Sequence, residues 1–169
     1  MALQRFIVVF VGIFATAAAT TAYKNVNGGA LQKCSGTGMA LTGFTRNGQC
    51  IDRVDDQGSH HICINMADTH TTNQNFCAVT GQPDWCSSSM ACDGGGGECP
   101  VKQWCVCQWA FARYIERAGG CDAIQDIVCE ATNLEALNAY QAQASSSDSI
   151  AQALKCIEKR CNPVSARDL

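Results

Sequence analysis

The chain has 169 residues, a formal net charge of -3 and a sequence pI near 5.5. It has no cluster of lysine and arginine, which excludes the electrostatic footprint of a nucleic-acid partner or of an anionic membrane surface. Its 13 cysteines exceed what a reducing cytosol requires, and an odd number leaves at least one outside intramolecular disulfides.

The first 22 residues have the three-part layout of a secretory signal peptide. Arg5 precedes an apolar run from Phe6 to Phe14, and small residues follow from Ala15 to Ala22. The apolar run is too short for a membrane-spanning helix, which needs about 20 residues. We therefore predict cleavage before Tyr23, with earlier sites in the alanine-rich stretch as alternatives, and no stable membrane insertion afterwards. The mature chain is predicted to be secreted or to stay within the secretory pathway, where disulfides persist.

The first half of the mature chain predicts little regular structure. Residues 25–59 are rich in Gly, Asn, Asp and Thr, which is typical of turns between short extended segments. The segment from His61 to Met66 alternates apolar and polar side chains and predicts a strand. Residues 68–99 have no apolar period, four cysteines and a run of four glycines, so we predict a long irregular connection that disulfides tether.

The second half predicts helices. Pro100 suits the first turn of a helix and Gly119 suits its end, with apolar residues at helical spacing between them. Asn133 is a candidate N-cap for a second helix. A third helix is predicted within residues 150–161, because its apolar residues share one face: Ile150, Ala153, Leu154, Ile157 and Cys161. The predicted class is a small α+β domain over residues 23–142, with short strands, about three helices and disulfide cross-links, followed by a linker and helix within 143–169.

Five local patterns, which span most of the mature chain, resemble a family of small bacterial and algal proteins catalogued as domain of unknown function 2237. They are Asn25 to Cys34 (NVNGGALQKC), Thr42 to Cys50 (TGFTRNGQC), Gly58 to Cys63 (GSHHIC), Trp104 to Cys107 (WCVC) and Glu130 to Asn133 (EATN). The resemblance implies a compact α+β domain and no established activity. The segment 68–99 and the tail after Ala142 depart from the family pattern.

The resemblance also divides the cysteines into two sets. Members that look cytosolic carry cysteines that match five of those in this chain, so these five serve the fold or a site without secretion. They are Cys34, Cys50, Cys63, Cys105 and Cys107. The other eight are additions suited to an oxidising compartment, and their even number allows four further disulfides.

The same five cysteines, together with His60, are the candidate metal ligands, because zinc accepts Cys and His in a tetrahedron. If Cys105 and Cys107 are both helical, they point about 200° apart and do not share an ion. In an extended segment they share a face. The boundary of the helix therefore decides this point, and the alternative is that Cys107 lies in the core and Cys105 is a disulfide or small buried group.

A thiol mechanism is a further alternative, since a helix N-terminus or a neighbouring His lowers the pKa of a thiol. No C-x-x-C pair is present to support thioredoxin-like redox chemistry. The acidic residues Asp52, Asp55 and Asp56 lack the pattern of a calcium loop and predict a solvated turn. His61 and His70 are interpreted as structural side chains.

Two functions follow. The first is a secreted, disulfide-stabilised protein with a binding or structural role, whose protein partner would contact loop 77–99. The alternative is a metal-binding or thiol-dependent enzyme that uses the Cys/His cluster. No cofactor is predicted under the first function, and zinc is the alternative under the second.

Overall fold

The computed structural model describes residues 23–163. The predicted signal peptide lies outside the described residues. The elements in chain order are β1 (Ile62–Asn65), α1 (Phe76–Thr80), β2 (Ser89–Ala91), β3 (Glu98–Pro100), β4 (Gln103–Val106), α2 (Gln108–Ala118), two short 3-10 turns at Cys121–Ala123 and Cys129–Ala131, α3 (Leu134–Gln143) and α4 (Asp148–Cys161). The predicted α+β class is confirmed.

The strands form two small antiparallel pairs. β1 pairs with β4, so that Cys63 lies opposite Cys105 and Ile64 opposite Trp104. β2 and β3 form a hairpin around the four glycines, all of which have positive φ. Before β1 the chain makes isolated bridges and turns only, as its composition predicts.

The prediction of a helix from Pro100 is wrong in its first part. Residues 103–106 are extended and pair with β1, and α2 begins at Gln108. Three of these four residues, Trp104 to Val106, are buried, and a fully buried strand cannot be told from a buried helix by its apolar pattern. Cys105 therefore lies on a strand, and Cys107 occupies the N-cap position of the following helix without a capping hydrogen bond from its side chain.

The four helices of the described residues pack in series. α2 packs against α4 and α1, and α4 packs against α3. Phe76, Phe111, Tyr114 and Tyr140 are fully buried between these elements. Asn133 caps α3 as predicted, because its side chain accepts a hydrogen bond from the Glu135 N–H at 3.0 Å. No helix of the described residues is long and apolar enough to span a membrane.

Candidate functional site

Twelve of the 13 cysteines are paired, and all 13 lie within residues 23–163. The pairs are Cys34–Cys63, Cys50–Cys105, Cys77–Cys86, Cys92–Cys99, Cys121–Cys156 and Cys129–Cys161. The eight cysteines outside the family-like set form four disulfides among themselves, which their even number allows. Four of the five family-like cysteines form the other two, and Cys107 alone stays a thiol.

The two family-like disulfides lie side by side in the core. The backbone N–H of Cys63 donates to the hydroxyl of Thr132, and that of Cys105 donates to the hydroxyl of Thr42. Cys63 and Cys105 are therefore a non-hydrogen-bonded pair of the two strands, the arrangement that brings facing side chains closest. The sulfur atoms of Cys34, Cys50 and Cys63 lie within 4.8 Å of one another. These buried sulfur atoms form disulfides and therefore present no thiolate to a metal ion. Zinc binding at this cluster stays a prediction.

Two adjoining cavities, which we call the cleft, open beside this cluster. They have volumes of about 270 and 300 Å³ and share His60, Trp104 and Cys105 as lining residues. The first is also lined by Phe76, Gln82, Trp85, Cys107 and Arg113. The second is also lined by Phe44 and Arg46. The cleft thus brings His60 and Cys107 together, and Cys105 of the central Cys50–Cys105 disulfide lines it as well.

Asp56 fixes the orientation of His60. His60 Nδ1 lies 2.8 Å from Oδ1 of Asp56, whose side chain is 1 % exposed, and the backbone N–H groups of His60 and Gly58 donate to the same carboxylate. Burial pushes the pKa of Asp56 up, but the hydrogen bonds from the His60 backbone, the His60 ring and Gly58 together outweigh burial and lower it. The carboxylate is therefore ionised at neutral pH and accepts the Nδ1 proton of His60, so in the neutral tautomer of the ring the lone pair lies on Nε2.

Glycine is required at position 58. A Cβ there would lie 2.5 Å from Cε1 of His60, closer than two carbons can approach. The segment Asp56-Gln57-Gly58-Ser59-His60 is therefore a tight turn built around the ring. Its aspartate is not the solvated group predicted from sequence: Asp56 is buried, while Asp55 forms an exposed ion pair with Arg53 at 2.7 Å. The signal that was missed is the pairing of Asp56 with His60 across a glycine.

Gln108 holds this turn against the start of α2. Its backbone N–H donates to the Ser59 carbonyl at 3.0 Å, and its side-chain Oε1 lies 2.9 Å from Nδ1 of His61. The hydroxyl of Tyr140 in turn donates to the Gln108 carbonyl. These contacts direct His61 into the core as a structural residue, as predicted, and they bring its neighbour His60 to the cleft that Cys107 also lines.

Cys107 is a half-buried thiol at the N-cap position of α2. The positive end of the helix dipole faces this position. Burial raises the pKa of Tyr140 well above 10.0, and the nearby Cys107 adds to that shift. The phenol of Tyr140 therefore stays neutral.

The remaining aromatic and histidine residues divide between core and cleft. Trp104 is buried and lies on β4. Trp85 is half-buried against Trp104, with ring centroids 5.5 Å apart, so loop 77–99 supplies a wall of the cleft. His70 lies away from the cleft, 3.5 Å from the side chain of Gln125.

Fold and site define a small α+β domain braced by six disulfides, with one free thiol and an oriented histidine in a shared cleft. Residues 24–147 match the model of a family described as "uncharacterized protein conserved in bacteria", domain of unknown function 2237. The chain belongs to this family, as the resemblance of its motifs predicted. No curated protein matches the chain.

The pairing of the cysteines predicts the result of a mass measurement. Alkylation of the denatured but unreduced mature protein with iodoacetamide should add one adduct, and peptide mapping should locate it at Cys107. The Cys107→Ser variant should add none. Five adducts, on the family-like cysteines, would contradict the two central disulfides, and zinc in the same sample would support the metal alternative.

Proposed function

We propose that the protein is secreted and that the cleft is a thiol-dependent site, in which Cys107 is the nucleophile and His60 its proton acceptor. Asp56 is a positioning residue that acts through His60. The observation that carries the proposal is the cleft itself, which is lined by the one unpaired thiol and by a histidine held by a buried carboxylate. This combination, a nucleophile, a base and a group that orients the base, is the general arrangement of activated nucleophiles.

Secretion is supported by the state of the cysteines. Six disulfides in one small domain require an oxidising compartment, and residues 1–22 have the composition of a secretory leader. An unpaired thiol in such a compartment is exposed to oxidants. Reactive thiols are typically partly accessible and lie near positive groups. The role of loop 77–99 as a surface for a protein partner stays a prediction.

The proposed chemistry is a simple displacement. The thiol proton of Cys107 passes to Nε2 of His60 in the occupied cleft, while Nδ1 keeps its hydrogen bond to Asp56. The sulfur then forms a bond with an electrophilic carbon, and the bond from that carbon to its leaving group breaks with the electron pair on the leaving group. His60 returns its proton to that group. The Asp56 carboxylate stabilises the imidazolium formed in between.

We expect Cys107 in the folded protein to react with iodoacetamide about tenfold faster near neutral pH than it does in urea, because a neighbouring base accepts the thiol proton as the sulfur attacks. His60→Gln and Asp56→Asn should each remove most of that acceleration. The measurement is the second-order rate of adduct formation between pH 5 and 9, followed by mass spectrometry.

His70→Gln is the matched control, since it makes the same change at a histidine away from the cleft. It should leave the rate unchanged. A thermal melt of each variant checks that the fold is retained. The proposal is wrong if folded Cys107 reacts no faster than the unfolded chain, or if folded His60→Gln and Asp56→Asn variants react like the parent.

A further inference from the structure

The cleft is cationic although the protein as a whole is acidic. The chain has a net charge of -3, but the residues that line the two cavities include Arg46 and Arg113 and no aspartate or glutamate. Asp56 contacts the lining residue His60, and its carboxylate is hydrogen-bonded to the His60 ring and to the backbone N–H groups of Gly58 and His60. A binding site of this sign selects ligands that carry negative charge.

Arg113 is the group best placed to receive that charge. Cys107, Ala110 and Arg113 all line the first cavity, and their spacing of three residues puts them along one face at the start of α2. The Arg113 side chain is exposed and has no hydrogen bond or ion pair within residues 23–163. Arg117, one turn later, instead donates to the Thr80 carbonyl at 3.0 Å.

Arg46 is already engaged at the second cavity. Its guanidinium lies 4.7 Å from the centre of the Trp104 ring, a cation–π contact that occupies the face of the cation. The two arginines therefore differ. Arg113 has no partner within the described residues and lines the same cavity as Cys107. Arg46 is stacked on Trp104 and lines the second cavity, which Cys107 does not line.

On the basis of the proposed function, we propose that the substrate is a small organic electrophile with a carboxylate, which Arg113 binds while the reacting carbon lies at Cys107. One guanidinium presents a planar fork that matches the two oxygens of a carboxylate. It also supplies one positive charge, which balances a carboxylate but not the charge of a phosphate group, about -1.5 to -2 at neutral pH. A cavity of about 270 Å³ suits a small molecule of this kind.

Two alkylating probes test the inference directly. Iodoacetate and iodoacetamide have nearly the same size and the same leaving group, and they differ by one negative charge. In both reactions the thiolate sulfur forms a bond with the methylene carbon, and iodide leaves with the electron pair. The quantity to measure is the rate of reaction of Cys107 with iodoacetate divided by its rate with iodoacetamide. This ratio is measured for the folded protein and for the same chain unfolded in urea, and the two values are compared.

We expect this ratio to be about tenfold higher in the folded protein at low ionic strength and to fall as salt screens the charge. Arg113→Gln should return the ratio to that of the unfolded chain, and because both probes react with the same thiolate, the ratio does not depend on how the variant changes the reactivity of the thiol itself. Arg113→Lys, which keeps the charge but loses the fork, should retain part of the preference. Arg117→Gln is the matched control and should leave the ratio unchanged.

The outcomes separate this inference from the function on which it rests. If Cys107 reacts rapidly with iodoacetamide in a His60-dependent way but the ratio equals that of the unfolded chain, the carboxylate inference is wrong and the thiol site stands. An equal loss of preference in Arg46→Gln or Arg117→Gln would also overturn the role of Arg113. If neither probe reacts faster than in urea, the thiol site itself is wrong.

Discussion

Replacement of both Cys50 and Cys105 by alanine is expected to lower the free energy of unfolding by about 4 kcal/mol, which makes it one of the most destabilising changes in this chain. The bond between them closes a loop with a sequence separation of 55 residues, and both side chains are buried. Cross-linking a loop of this length removes much of the conformational freedom of the unfolded state. The variant also leaves a small cavity beside the Cys34–Cys63 bond.

Urea unfolding at equilibrium, without reductant, measures the effect. The matched control is the double change Cys92→Ala and Cys99→Ala, at a hairpin with a sequence separation of only 7. A loop this short predicts a loss of about 2 kcal/mol by the same relation. Equal losses for the two variants would show that the central bond does not act through loop length or burial.

Replacement of Asn133 by alanine is expected to cost about 3 kcal/mol, because one buried side chain makes two separate contacts. Its Oδ1 caps α3 through the Glu135 N–H, and its Nδ2 donates to the Cys50 carbonyl at 2.9 Å. Cys50 is fully buried, so its carbonyl would lose a partner where no solvent replaces it. Loss of the cap adds about 1 kcal/mol.

Two further variants separate these contributions. Asn133→Ser keeps a capping oxygen but cannot reach the Cys50 carbonyl, so it should recover about 1 kcal/mol of the loss. Asn75→Ala removes the cap of α1, where Oδ1 accepts from the Ala78 N–H at 2.9 Å on a half-buried residue, and should cost only about 1 kcal/mol. A loss for Asn133→Ala no larger than that for Asn75→Ala would contradict the role of the buried amide.

The sequence predicted the elements whose signals are local. The strand at His61 to Met66, the cap at Asn133 and the C-terminal helix each depend on neighbouring residues, and each is present within a residue or two. The start of α2 was predicted wrongly because the pairing of β4 with β1 is a contact across about 40 residues of chain. An apolar run such as Trp104 to Val106 does not by itself show which partner it will find.

The site was predictable only in part, for a related reason. His60 and Cys107 were candidates from the motifs, but their cleft depends on Gln108 binding the segment 59–61. Asp56 looked like a member of a solvated acidic turn, and only its burial beside Gly58 shows its role. The pairing of cysteines depends on the whole fold, which is why their number was informative and their connectivity was not.

The C-terminal helix gives the molecule a property that its packing alone would not. α4 lies beyond the residues that match the family, and Cys156 and Cys161 join it to Cys121 and Cys129. The connection that precedes it includes two exposed serines, Ser145 and Ser146, the kind of site that proteases cut first. A protein nicked there remains one covalent molecule, since both bonds cross the cut, and only a reductant separates the two pieces. The added helix therefore makes the integrity of the domain depend on the redox state of its surroundings rather than on an unbroken backbone.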